Sequence, residues 1–182
     1  AAVSRGYAAI GLHMPKTPAN VGSVLRAAGC YEAGLVVVSG NRYRRAGTDT
    51  QAAYRHIPLI HTDDLHSVVP FDCIPVAVDL IEGAVPLGRY VHPERAFYVF
   101  GPEDGTLGKT ITSWCRDTVY VPTKFCMNLA ATVNVVLYDR MNKRQAVKGF
   151  TTLELLIVML ALFCIGSVAI IAWARYLSVC HA

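Results

Sequence analysis

Between residues 7 and 122 the chain sets short apolar runs between polar, glycine-bearing stretches. The runs are "YAAIGL" (7–12), "GLVVVSG" (34–40), "IPVAVDL" (74–80), "AFYVF" (96–100) and "TVYVP" (118–122). Each is too short for a helix, rich in Val or Tyr, and bounded by Gly, Pro or Asp. Runs of this kind read as buried strands of a parallel sheet. Helices are predicted between them, starting near Asn20, near Thr106 and near Met127. Strands alternating with helices make the fold class α/β.

The pattern changes near residue 149. The chain then reads "FTTLELLIVMLALFCIGSVAIIAWARYLSVCHA", with 19 uncharged residues from Leu155 to Trp173. As a helix these span roughly 28 Å, against about 30 Å for the hydrocarbon core of a bilayer. A core helix of so small a domain would keep a polar face, so 155–173 is expected to cross or enter a membrane. Arg140, Lys143, Arg144 and Lys148 precede it and Arg175 follows it, which places the α/β part in the cytoplasm. Two regions are expected, 1–148 and 149–182.

Composition narrows the chemistry only a little. The 182 residues can bury one substantial core. The mean hydropathy of +0.37 is an average over two unlike regions. The net charge is +4, from 17 Lys and Arg against 13 Asp and Glu; it permits a polyanionic partner without demanding one. Six cysteines show neither CxxC pairs nor the density of a secreted scaffold, so a reducing compartment is expected. Histidines 56, 61 and 66 do not stack on one helical face and have no cysteine pair beside them, so no metal is expected.

"YVFGPEDGTLGKT", residues 98–110, looks at first like a phosphate loop. Six residues separate Gly101 from Gly108, more than the G-x-x-x-x-G-K cradle allows. Glu103 and Asp104 would also face the anion. The stretch has to be read with two others: "NVGSVLRAAG", in which Asn20 can cap a helix carrying Arg26, and "VPTKFCMNLAATVNVVLYDR", a strand end, a loop and an apolar helix. Asn128 and Asn134 on that helix need partners wherever they are buried.

Taken in order, the three stretches resemble the motifs of the SpoU (TrmH) family of knotted RNA methyltransferases. Asn20 and Arg26 match its first motif, "FGPEDGTL" with Glu103 its second, and the stretch with Met127 and Asn128 its third. No one of these is specific; their order and separation together are, over residues 7–144. Cys126 departs from the serine that many members carry, and a thiol is a poorer hydrogen-bond donor.

The resemblance implies a deep trefoil knot whose loops hold S-adenosylmethionine. Asp79, Leu80, Gly101, Val121, Cys126 and Met127 would form the cofactor site. Arg26, Asn20, Glu103 and Asn128 would be the catalytic set, with Arg26 stabilising a developing ribose alkoxide and Asn20 and Glu103 positioning it. The expected substrate is structured RNA, tRNA before rRNA. A homodimer is expected through the helix 127–142.

"NRYRRAG" places Arg42, Arg44 and Arg45 around Tyr43, with Arg55 further on. This is either a solvated face or an RNA contact, and the aromatic among the arginines favours RNA. "KGFTTLELLIVML" resembles a type IV prepilin signal, with Phe150 and then Glu154 in the fifth mature position. In pilins a globular domain follows the signal; here little follows it, so a fused reading frame stands beside a membrane anchor. The competing reading of the whole chain is a membrane-anchored, pilin-like structural protein with an inactive methyltransferase-like part.

Overall fold

The computed structural model describes residues 6–40, 57–148, 156–167, 170 and 173. The chain divides into two compact units, Ala1–Asn142 and Lys143–Ala182.

In the first unit, seven strands form one sheet: β1 (Tyr7–His13), β2 (Leu35–Ser39), β3 (Leu59–Thr62), β4 (Ile74–Val78), β5 (Val85–Pro86), β6 (Arg95–Phe100) and β7 (Asp117–Tyr120). Their order is β3-β2-β1-β6-β4-β7-β5. Every pairing is parallel. The central strands are buried on both faces, which is why their sequences are unbroken apolar runs.

Two layers cover the sheet. On one face helices α1 (Pro18–Cys30) and α3 (Leu129–Lys148) bury Val21, Val24, Leu25, Val133, Val136 and Leu137 against Ile10, Leu12, Val76, Tyr98 and Phe100. On the other, Leu65, Leu107 and Ile111, the last from the short helix α2 (Gly108–Thr112), pack on Val37, Ala77, Phe97 and Val99. The Phe97 ring lies over Gly11 of the neighbouring strand. A Cβ built on Gly11 would stand 2.7 Å from Phe97 Cζ, so this position has no room for a side chain.

Arg140 was expected among the charges flanking a membrane helix, but it is 4% exposed. Its guanidinium donates to the carbonyls of Pro93, Glu94 and Tyr7 and to the Tyr98 hydroxyl. Beside it His92 bridges the Tyr98 hydroxyl (2.6 Å) and the Asp139 carboxylate (2.9 Å). This buried polar knot fastens α3 to the amino-terminal edge of the sheet.

In the second unit residues 156–167 are helical, and their large apolar side chains, among them Leu156, Leu160 and Phe163, are exposed. Among the described residues no helix is long and apolar enough to cross a membrane. The span expected over 155–173, like the prepilin-like Phe150 and Glu154, falls wholly or in part outside the described residues.

Candidate functional site

Strands β6, β4 and β7 are neighbours and run parallel, so their carboxyl ends meet at one edge. Open α/β sheets bind ligands at such an edge. The segments that leave it, Asp79–Leu80 after β4, 101–105 after β6 and 121–127 after β7, wall a cavity of about 500 Å³. All six residues expected at a cofactor site, Asp79, Leu80, Gly101, Val121, Cys126 and Met127, line this one cavity, and so does Glu103.

Glu103 ties the second loop to the first helix. Its Oε2 accepts the Lys16 N–H at 2.7 Å, and its Oε1 accepts the Thr17 N–H at 3.1 Å and the Asn20 side-chain amide at 2.7 Å. Burial alone would raise its pKa. The backbone N–H of Lys16 and then the Asn20 amide outweigh that and hold the carboxyl below its ordinary value. A carboxylate at a helix amino terminus is also favoured by the helix dipole. Asn20 is therefore not the cap expected from the sequence. Pro18 opens the helix, where its missing N–H costs nothing, and Thr17 takes the cap position without a side-chain bond. That leaves Asn20 in the first turn, with its amide turned to Glu103.

Asp79 holds the same loop from the other side. One carboxylate oxygen accepts the Leu107 N–H at 2.7 Å and the other accepts the Leu80 N–H at 2.8 Å. Between the two anchors the loop folds back on itself. A Cβ on Gly101 would stand 3.4 Å from both Leu107 Cγ and Leu107 N, an ordinary contact distance, so the turn brings Leu107 back beside Gly101.

The remaining expected residues are placed differently. Arg26 lies on the exposed side of α1 and does not line the cavity. Asn128 caps α3, its Oδ1 accepting the Ala131 N–H at 2.7 Å, and it does not line the cavity either. Asn134 finds its partner within the helix, donating to the Ala130 carbonyl at 2.8 Å. Arg42, Tyr43, Arg44, Arg45 and Arg55 lie outside the described residues. His66 packs on Trp114 with ring centroids 5.0 Å apart. Among the described residues no group of three or more His, Cys, Asp or Glu could hold a metal ion.

Sequence reasoning passed over Tyr120, Lys124, Phe125 and Thr132, all of which line the cavity. The signal was available: Lys124 and Phe125 sit in a loop that directly follows a strand end, where binding residues concentrate.

The fold and this edge-of-sheet cavity define an α/β protein of the SPOUT methyltransferase architecture. The SpoU rRNA Methylase family model matches residues 8–138, and the chain belongs to that family. No curated protein matches it. Among solved structures, the SpoU methyltransferase AviRb from Streptomyces viridochromogenes, in complex with AdoMet, aligns with a TM-score of 0.69 at 17% identity. That alignment covers 80% of this chain and 63% of AviRb, so the chain spans less than two thirds of that relative. The A. aeolicus TrmH/SpoU tRNA modifying enzyme aligns at 0.69 and 14% identity, covering 80% and 81% of the two chains. A protein described through the 2-OH methylation of C/U34 on tRNA aligns at 0.66 and 20% identity, covering 77% and 92%.

Proposed function

We propose that this chain is an S-adenosylmethionine-dependent RNA methyltransferase that modifies a ribose 2′-hydroxyl of structured RNA, with tRNA as the favoured substrate. One observation carries the reading: the six residues expected to hold the cofactor, scattered from Asp79 to Met127 in the sequence, converge on a single cavity.

The residues suit S-adenosylmethionine. The volume of about 500 Å³ falls in the range of small-molecule sites. Val78, Phe100 and Leu129 supply apolar wall for an adenine, and the bare backbone at Gly101 permits close approach. Asp79 and Glu103 supply negative charge that suits a sulfonium. When bound, S-adenosylmethionine supplies an activated methyl group.

The protein has to position the ribose hydroxyl and stabilise its oxygen as the proton leaves. Arg26 is assigned to that oxygen; a guanidinium stays protonated, so it acts by charge rather than as a base. The Glu103–Asn20 bond sets the loop of the second motif against the helix that carries Arg26. The reading includes the trefoil knot and a homodimer. The homodimer is supported by α3, where Ala131, Tyr138 and Asn142 fall at helical spacing and are half-buried or exposed, away from the buried Val133, Val136 and Leu137.

The test is a melting curve. S-adenosylhomocysteine should raise the melting temperature, as any ligand of the native state does, and ATP should leave it unmoved. A shift with ATP and none with S-adenosylhomocysteine would replace this reading with a nucleotide loop.

A further inference from the structure

The cavity has a lip, within the third-motif stretch, to which neither the motif residues nor the cofactor residues give a role. Phe125 lies in the loop after β7, lines the cavity, and is nonetheless 77% exposed. Thr123 Oγ1 donates to the Phe125 carbonyl at 2.8 Å, which folds the backbone there into a local turn. An apolar ring held in water on such a turn forgoes the stabilisation that its burial would bring. Lys124 Nζ stands 5.6 Å from the ring centroid, within cation–π range. A cation over one face leaves the other free for a flat partner.

Charge gives the direction of approach. Among the described residues lining the cavity, Lys124 is the one cation, while Asp79 and Glu103 are anions already engaged by N–H donors. A polyanion is turned away from the carboxylate wall and received at the Lys124 side.

Resting on the reading of the cavity as a methyl-donor site, we infer that Lys124 and Phe125 form the entry site for the RNA. The Phe125 ring stacks on an unpaired nucleobase and Lys124 takes an adjoining phosphate. Phe125 does not serve the adenine of the methyl donor: the buried Phe100 and Leu129 wall the interior, whereas an exposed ring at the mouth meets what arrives from solvent. Stacking is sequence-tolerant and the lysine contact is salt-dependent, so the lip grips an unpaired nucleotide without selecting its base.

The experiment uses the full-length chain with Phe125→Ala, Phe125→Trp and Lys124→Ala. Anisotropy with fluorescent tRNA measures RNA affinity, and calorimetry with S-adenosylhomocysteine measures the donor site. Phe125→Ala should weaken RNA binding roughly ten-fold, the effect of losing one base–aromatic stack, and leave S-adenosylhomocysteine affinity within about two-fold. Phe125→Trp should restore RNA affinity, with its emission quenched when RNA binds. Lys124→Ala should weaken RNA binding and flatten its salt dependence. Lost S-adenosylhomocysteine affinity in Phe125→Ala would place the ring on the adenine and overturn the inference, and so would unchanged RNA affinity. If the unaltered chain bound RNA but no S-adenosylhomocysteine, the methyl-donor reading would fall, while the effect of Phe125→Ala on RNA would still decide the role of the lip.

Discussion

Glu103 Oε1 and Asn20 Nδ2 meet at 2.7 Å across 83 positions of sequence. Through this contact the loop after β6 and the helix that follows β1 become one rigid corner of the site. The Glu103 carboxyl is held below its ordinary value of 4.5. A depressed carboxylate contributes stability that is present above its unfolded pKa and is lost as pH falls through the folded one. Glu103→Gln should therefore cost about 1 kcal/mol near neutral pH, the scale of a lost helix cap. The gap between the two proteins should close in acid, below the folded pKa. Urea unfolding at neutral and acid pH checks this; a gap that stays constant with pH would remove the charge from the account.

Arg26 is assigned to the reacting oxygen and lies off the cavity wall. Arg26→Ala should lower kcat by at least about 100-fold, the scale of one lost oxyanion donor, while S-adenosylhomocysteine affinity changes less than about three-fold. Calorimetry and single-turnover kinetics separate the two quantities. Loss of donor affinity in folded protein would move Arg26 into the binding site.

Gly11→Ala tests the packing of the sheet. The added Cβ would stand 2.7 Å from Cζ of the fully buried Phe97, and a ring with no exposed surface has little space to retreat. The variant should lose about 1–3 kcal/mol, the usual cost of overpacking. Equal stability of the two proteins would show that the ring moves freely.

Arg140→Met keeps an apolar stem and removes a guanidinium that makes four hydrogen bonds. It should cost about 3 kcal/mol, since hydrogen bonds to a charged group are individually strong and the carbonyls left behind stay partly buried. A chemical melt measures it; a loss below about 0.5 kcal/mol would mean that α3 is held by its apolar face alone.

The same residues show what could be read without coordinates. The five long apolar runs all became strands, because central parallel strands must be apolar on both faces. β3 escaped notice because "LIHT" lies at a sheet edge with its middle residues exposed, and β5 because two residues, one a proline, carry no periodicity. The six residues that line the cavity were reached through the resemblance, because they sit in loops with glycine, proline and a fixed order. Asn20 was misplaced as a cap because local preference cannot see a carboxylate arriving from residue 103. Arg140 reads from the sequence as one of the charges preceding the membrane-like segment, because the carbonyls that bury it come from Tyr7, Pro93 and Glu94, all distant in sequence. Phe125 and Lys124 lie within the third-motif stretch without a role of their own there, and their place at the cavity emerges only when the loops are assembled.

The most direct test of the central claim is the product itself. The full-length chain is incubated with S-adenosylmethionine labelled in its methyl group and with bulk tRNA, and the RNA is then digested to nucleosides. The account predicts label in a nucleoside methylated on its ribose 2′-oxygen. Label on a base, or no label on tRNA or rRNA while S-adenosylhomocysteine leaves the melting temperature unchanged, would contradict it.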